Sequence, residues 1–106
     1  MGDKELAALK RVCSEEVFLG QTNVTTFGLT KFIEELLSGY RTLPLCTLFV
    51  SPARCNLTAI ALSLKAKYNP KSNEYEIHSK VASVCLLITR GPPKDFEPIE
   101  LRIRTV

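Results

Sequence analysis

Apolar residues in the first part of the chain recur every three or four positions, which is the spacing of an amphipathic helix. One such stretch covers residues 4–19 and is followed by Gly20, a residue that favours the end of a helix. A second, more regular stretch is predicted to begin at a cap formed by Thr26 or Thr30 and to end at Gly39. The two apolar stripes consist of Leu6, Leu9, Val12, Cys13 and Val17, and of Leu29, Phe32, Ile33, Leu36, Leu37 and Tyr40.

After residue 40 apolar residues alternate with polar ones, as they do in strands that bury one face. The predicted strands cover residues 43–50, 57–68, 74–90 and 99–104, with a turn at 69–73. The alternation breaks near residues 79–82, which predicts a β-bulge or a stretch covered on both faces. Short connections favour an antiparallel meander. The sequence therefore predicts an α+β fold, with two N-terminal amphipathic helices packed on one face of a roughly four-stranded antiparallel sheet.

The most regular stripes are expected to form the core together. In this prediction a helix face packs against a sheet face, and the residues are Phe32, Ile33 and Leu36 on the helix and Ile60, Leu62, Leu64 and Ile77 on the sheet. The chain has 106 residues, of which 45% are hydrophobic and 24% are charged, as in ordinary globular proteins. This length predicts a single globular domain over residues 1–106.

The sequence lacks the features of exported and membrane proteins. No apolar run approaches the roughly 20 residues that span a bilayer. The first ten residues mix charges with leucine and alanine and contain no signal-peptide core. We therefore expect an intracellular protein of the cytoplasm or nucleus.

Candidate catalytic and metal-binding groups are few. None of the four cysteines forms a C-x-x-C pair, and His78 is the only histidine, so no zinc-ligand spacing is present. Apolar neighbours predict that the cysteines are buried free thiols. On one continuous strand His78 and Cys85 would point to opposite faces, which disfavours a Cys–His nucleophile pair. We expect no catalytic residues, no metal, no cofactor and no small-molecule substrate, and hence no enzyme.

Basic residues are concentrated in the second half of the chain. Residues 41–106 carry ten basic and five acidic side chains, a net charge of +5. The alternation places Lys65 and Lys67 on one strand face and Arg102 and Arg104 on another. If these strands are neighbours, the four cations form a patch for a polyanion. No aromatic residue falls in the polar phase of these strands, so base stacking is not predicted.

Two functions remain as expectations. The first is a non-enzymatic protein-interaction or self-assembly module, which acts as a homo-oligomer or with a protein partner through a sheet edge or an apolar helix surface. The alternative is binding of RNA, DNA or an anionic membrane surface through the basic residues of 41–106. The two differ in their response to salt, because only the second depends on attraction between opposite charges.

Overall fold

The computed structural model describes residues 2–89 and 99–105, and these form an α+β fold with a six-stranded mixed sheet. The helices of this part of the chain are α1 (Asp3–Ala7), α2 (Thr26–Ser38) and α3 (Leu57–Ser63). The strands are β1 (Val17–Gln21), β2 (Leu45–Val50), β3 (Lys67–Asn69), β4 (Glu74–His78), β5 (Ser83–Thr89) and β6 (Ile99–Thr105). Among the described residues, no helix has the length and apolar character needed to cross a membrane.

The strands lie in the order β1-β2-β6-β5-β4-β3, so the last strand of the chain is inserted into the middle of the sheet. β1 pairs with β2 in parallel, and the other neighbours are antiparallel. The predicted antiparallel meander of four strands is therefore only partly correct. Sequence patterns describe each strand separately, whereas the pairing of β6 with β2 joins segments that are far apart in the chain.

Helix α2 follows its predicted stripe. The side chain of Thr25 caps its first turn by accepting a hydrogen bond from the backbone N–H of Gly28 at 3.2 Å. Thr30, one of the predicted caps, instead donates its hydroxyl to the carbonyl of Thr26 at 2.7 Å. Gly39 ends the helix with φ of 81°, the left-handed conformation that glycine adopts without steric cost.

The long first helix predicted over residues 4–19 is wrong. Helix α1 ends at Ala7, and the second half of that segment contains β1. The intervening residues form tertiary hydrogen bonds in place of helical ones: the N–H of Thr42 donates to the carbonyl of Arg11 at 2.6 Å, and the N–H of Cys13 donates to the carbonyl of Thr42 at 2.9 Å. The guanidinium of Arg41 adds hydrogen bonds to carbonyls in the same segment, so the chain there is attached to Arg41 and Thr42.

The strand predicted over residues 57–68 is correct only at its end, where residues 67–68 belong to β3. Residues 57–63 form α3, whose first turn is capped by the Asn56 side chain, which accepts from the N–H of Ala59 at 3.0 Å. The buried residues of this helix are Leu57, Ile60 and Ala61. Their spacing of three and four is helical. The alternating pattern and the helical pattern coincide in this short segment, and burial against α2 and the sheet selects the helix.

The strand predicted over residues 74–90 is divided into β4 and β5 by a chain reversal at residues 79–82. The N–H of Ser79 donates to the carbonyl of Ala82 at 2.9 Å, and the Ser79 hydroxyl donates to the carbonyl of Leu37 at 2.6 Å. The predicted bulge is therefore a hairpin turn attached to the end of α2. Arg90, at the end of the prediction, lies outside the described residues. The predicted last strand is confirmed by β6.

The core lies between the helices and one face of the sheet. Five residues of the predicted core are buried, namely Phe32, Ile33, Leu36, Ile60 and Ile77. Leu62 is 76% exposed, because α3 directs it away from the helix face that carries Ile60. Leu64 is partly buried against the core. One buried cluster contains core residues of α1, α2 and α3 together with alternate residues of β2, β4, β5 and β6, so the helices share one face of the sheet.

Candidate interaction face

The other face of the sheet carries the remaining alternate residues, and we call it the outer face. Strand register places its residues in rows that run across the sheet. The rows are Leu45–Arg104–Cys85–Glu76, Phe18–Thr47–Arg102–Leu87 and Phe49–Glu100. His78 and Ser83 lie opposite each other beyond the first row. The outer face therefore combines apolar residues, mainly on β1 and β2, with charged residues on β6 and β4.

The apolar end of the outer face is built around two phenylalanines. Phe18 is 70% exposed, and its ring lies edge-on against the ring of Phe49, with centroids 6.3 Å apart and an interplanar angle of 79°. Leu45 and Thr47 are half-buried beside them on β2. Edge-to-face aromatic pairs are favourable but leave ring surface in contact with water when no other group covers them. This end of the face therefore exposes an aromatic side chain to solvent.

The charged end of the outer face consists mainly of ion pairs. Arg102 Nε lies 2.9 Å from Glu100 Oε1, and Arg104 Nη2 lies 3.0 Å from Glu74 Oε1. Both arginine side chains are about half exposed, so each pair contributes modestly to stability, roughly 0–1 kcal/mol. The pairing neutralises much of the charge that the sequence assigns to this region.

The four cations predicted to bind a polyanion occupy different places. Lys65 follows α3 in a left-handed conformation with φ of 56°, so it does not share a strand face with Lys67. Lys67 belongs to β3, which β4 and β5 separate from β6. Three inter-strand spacings of about 4.8 Å put it about 14 Å from the strand of Arg102 and Arg104. All four residues are exposed, but only the two arginines are neighbours on one face.

His78 lies in a polar cluster at the margin of the outer face. Its Nδ1 is 2.8 Å from Ser83 Oγ, and its Nε2 is 3.9 Å from Glu76 Oε2. Because the chain reverses between β4 and β5, His78 and Cys85 lie on the same face, which corrects the expectation that they point apart. Cys85 is nevertheless buried, and this burial raises the pKa of its thiol. The neutral thiol is a weak nucleophile, so this pair lacks the activated sulfur that covalent catalysis needs.

The four cysteines are free, as predicted. Cys46, Cys55 and Cys85 are buried, whereas Cys13 is half-buried. Burial raises the pKa of Cys46 to about 12 and that of Cys55 to about 11. Within residues 2–89 and 99–105, no group of three or more His, Cys, Asp or Glu side chains is arranged to hold a metal ion.

A shallow groove lies on the helix-covered side of the sheet, between α3 and strands β4 and β5. Its volume is about 180 Å³, and it is lined mainly by apolar side chains, including Leu57, Ala61, Leu62, Tyr75 and Ile88. The ring of Tyr75 contacts that of Tyr68, with centroids 5.2 Å apart. Sequence reasoning missed this groove because it treated residues 57–63 as part of a strand. An asparagine before the apolar residues, at the position of an N-cap, was the available signal for a helix.

Comparison with protein-family models, curated protein sequences and solved structures finds no match to this chain.

Proposed function

We propose that this protein is a protein-interaction module whose contact surface is the outer face of its sheet. The observation that carries the proposal is the exposure of Phe18, whose ring, beside Phe49, leaves an apolar surface in water. Aromatic residues surrounded by polar groups are characteristic of the energetically dominant part of protein interfaces. On the outer face, the ion pairs of Arg102 and Arg104 supply such polar surroundings.

The edges of the sheet are less suited to binding than its face. β1, at one edge, has an irregular register between Phe18 and Gly20, where φ of Gly20 is 67°. β3, at the other edge, is only three residues long. Bulges and short edge strands both hinder the addition of a further strand. The sequence led us to expect contact through a sheet edge or an apolar helix surface. The edge is therefore disfavoured, and the outer face is a different surface from both.

Photo-cross-linking in cells that produce the protein tests this proposal. A photoreactive amino acid in place of Phe18 should yield a covalent adduct with another protein chain. The matched control is Phe27, which is 78% exposed but lies on α2, away from the outer face. Adducts at position 18 and not at position 27 are expected. Equal labelling at both positions, or none at position 18, would contradict the proposal.

Polyanion binding through Lys65, Lys67, Arg102 and Arg104 is the alternative function. It is supported by the exposure of all four side chains and opposed by the pairing of both arginines with glutamates. Retention on heparin at low salt, lost when the four residues are changed to glutamate, would support it. No retention of the unmodified protein would leave the interaction module as the proposed function.

A further inference from the structure

We infer that the partner of the outer face is a second copy of the same chain, related by a two-fold axis that runs along the row Phe18–Thr47–Arg102–Leu87. This inference rests on the proposed function and names the occupant of the face. It is carried by the arrangement of charged and apolar residues on either side of that row.

The outer face is complementary to itself about its middle row. On β6, Glu100 lies two residues before Arg102, and Arg104 lies two residues after it. A two-fold axis along the middle row places each β6 over its copy in the opposite direction. Glu100 of one copy then lies over Arg104 of the other, and this contact occurs twice because the interface is isologous. Arg102 lies on the axis, where its own Glu100 already compensates its charge at 2.9 Å.

The apolar end of the face obeys the same symmetry. Register pairs Leu45 with Arg104 and Phe49 with Glu100, so the axis that exchanges the charges also places Leu45 of one copy over Phe49 of the other. Phe18 lies opposite Thr47 in the middle row, so the Phe18 rings of the two copies approach each other. Apolar groups therefore meet apolar groups, and opposite charges meet, in one arrangement.

The charge balance of the face favours a neutral partner. Among the residues that the structure describes, the charged ones that register places on this face are Lys67, Arg102 and Arg104 against Glu74, Glu76 and Glu100, three of each sign. A strongly acidic or basic partner gains no net attraction from such a surface. A second copy presents the same balanced surface.

The size of the face indicates a weak dimer. Six strands span about 24 Å at about 4.8 Å per spacing, and the three rows extend along the strands for about 14–20 Å. The flat area is about 400 Å² per copy, so two copies bury about 800 Å² in total, which is below the roughly 1,000 Å² of a stable specific interface and within the range of weak, transient contacts. We therefore expect micromolar dissociation and exchange between monomer and dimer.

Sedimentation equilibrium between about 5 and 500 µM tests the inference, since this range covers micromolar dissociation constants. The average mass should rise from 11.8 kDa towards twice that value with concentration. Phe18→Asp should weaken association by at least about ten-fold, because it removes the exposed aromatic group that meets its own copy across the axis and places two carboxylates opposite each other. Phe27→Asp, an equally exposed control on α2, should associate like the unmodified protein.

A mixing experiment tests the two-fold arrangement. Glu100→Arg and Arg104→Glu should each associate more weakly than the unmodified chain, because each brings like charges together across the interface. An equimolar mixture of the two variants should associate more tightly than either alone, by about two- to five-fold per restored contact. A mixture that behaves as the average of its components would overturn the arrangement.

The outcomes separate this inference from the proposed function. A chain that stays monomeric at 500 µM while position 18 cross-links to a different protein would overturn the second copy and leave the interaction module standing. Dimerisation that Phe18→Asp does not weaken would overturn the use of this face for self-association. Dimerisation lost in Phe18→Asp and kept in Phe27→Asp supports both. Circular dichroism of each variant establishes that the fold is retained.

Discussion

Two residues of α3 provide a direct test of the fold, because the sequence pattern and the structure assign them opposite roles. Ile60 is fully buried, whereas Leu62 is 76% exposed. In a strand the two would lie on the same face and both would be buried. In a helix they differ by about 200° around the axis, so only one faces the core.

The expected losses of stability differ widely. Ile60→Ala removes a side chain with no exposed surface, and such truncations cost about 2–5 kcal/mol. Leu62→Ala removes surface that is already in water, and its effect should stay within about 0.5 kcal/mol. In a chain of about this size a loss of 1 kcal/mol lowers Tm by about 4–8 °C, so Ile60→Ala should lower Tm by about 8–40 °C.

Urea unfolding followed by far-ultraviolet circular dichroism measures both variants. The midpoint should shift to lower urea for Ile60→Ala and remain unchanged for Leu62→Ala, with similar slopes for both. If Ile60→Ala proves too unstable to study, Ile60→Val should still cost about 0.5–1.5 kcal/mol. Equal losses for the two alanine variants would refute the helix and restore the strand predicted from alternation.

Three further predictions concern the N-terminal segment and the thiols. Gly28→Ala, normally stabilising in a helix by about 1 kcal/mol, should instead destabilise the protein in chemical unfolding, because the added Cβ would clash with the carboxyl group of Asp3. Arg41→Met should cost about 3–5 kcal/mol by the same measurement, because it leaves the carbonyls of Leu9 and Ala7, now held at 2.8 and 3.0 Å, without their hydrogen-bond donors. With a thiol reagent, Cys13 should react first and Cys46 only on unfolding. Burial raises the pKa of Cys46 from 9.0 to about 12. Above pH 9 the thiol therefore ionises only in the unfolded chain, and the free energy of unfolding should fall as the pH rises.

Each of these three predictions has a control variant or a contradicting outcome. Asp3 accepts hydrogen bonds from the backbone N–H and the hydroxyl of Thr25, at 2.8 and 2.6 Å. Asp3→Ala removes the carboxyl group that the added Cβ would meet. In this background Gly28→Ala should therefore raise the free energy of unfolding, and a decrease would contradict the steric explanation. Glu35→Gln should cost much less than Arg41→Met, because Glu35 lies 3.5 Å from a guanidinium that the carbonyls already hold. Immediate reaction of Cys46 in the native protein would contradict its burial.

The positions of the four cations in the predicted polyanion patch could be predicted from the sequence only in part. The alternation correctly placed Arg102 and Arg104 together on one exposed face of β6. It could not place Lys67, because strand order is decided by pairing between distant segments, and β3 lies at the far edge of the sheet. It also could not find the pairing of Arg104 with Glu74, which are 30 residues apart. Phe18 was assigned to a helix, so its place on the outer face was missed.

Elements whose apolar pattern is long and unambiguous can be predicted from the sequence alone. The apolar stripe from Leu29 to Leu36 fits only a helix, and the alternation in residues 99–104 fits only a strand. In each segment the spacing of apolar residues repeats several times. The secondary structure of the short or ambiguous segments depends on tertiary packing. The segment of residues 8–16 forms hydrogen bonds with Arg41 and Thr42 in place of helical ones. Residues 57–63 form a helix, which buries Ile60 and leaves Leu62 exposed. The preference of a residue for helix or strand is worth a fraction of a kcal/mol, whereas burying a side chain or satisfying a buried charge contributes several times more. Packing therefore selects the structure wherever the local pattern fits both a helix and a strand.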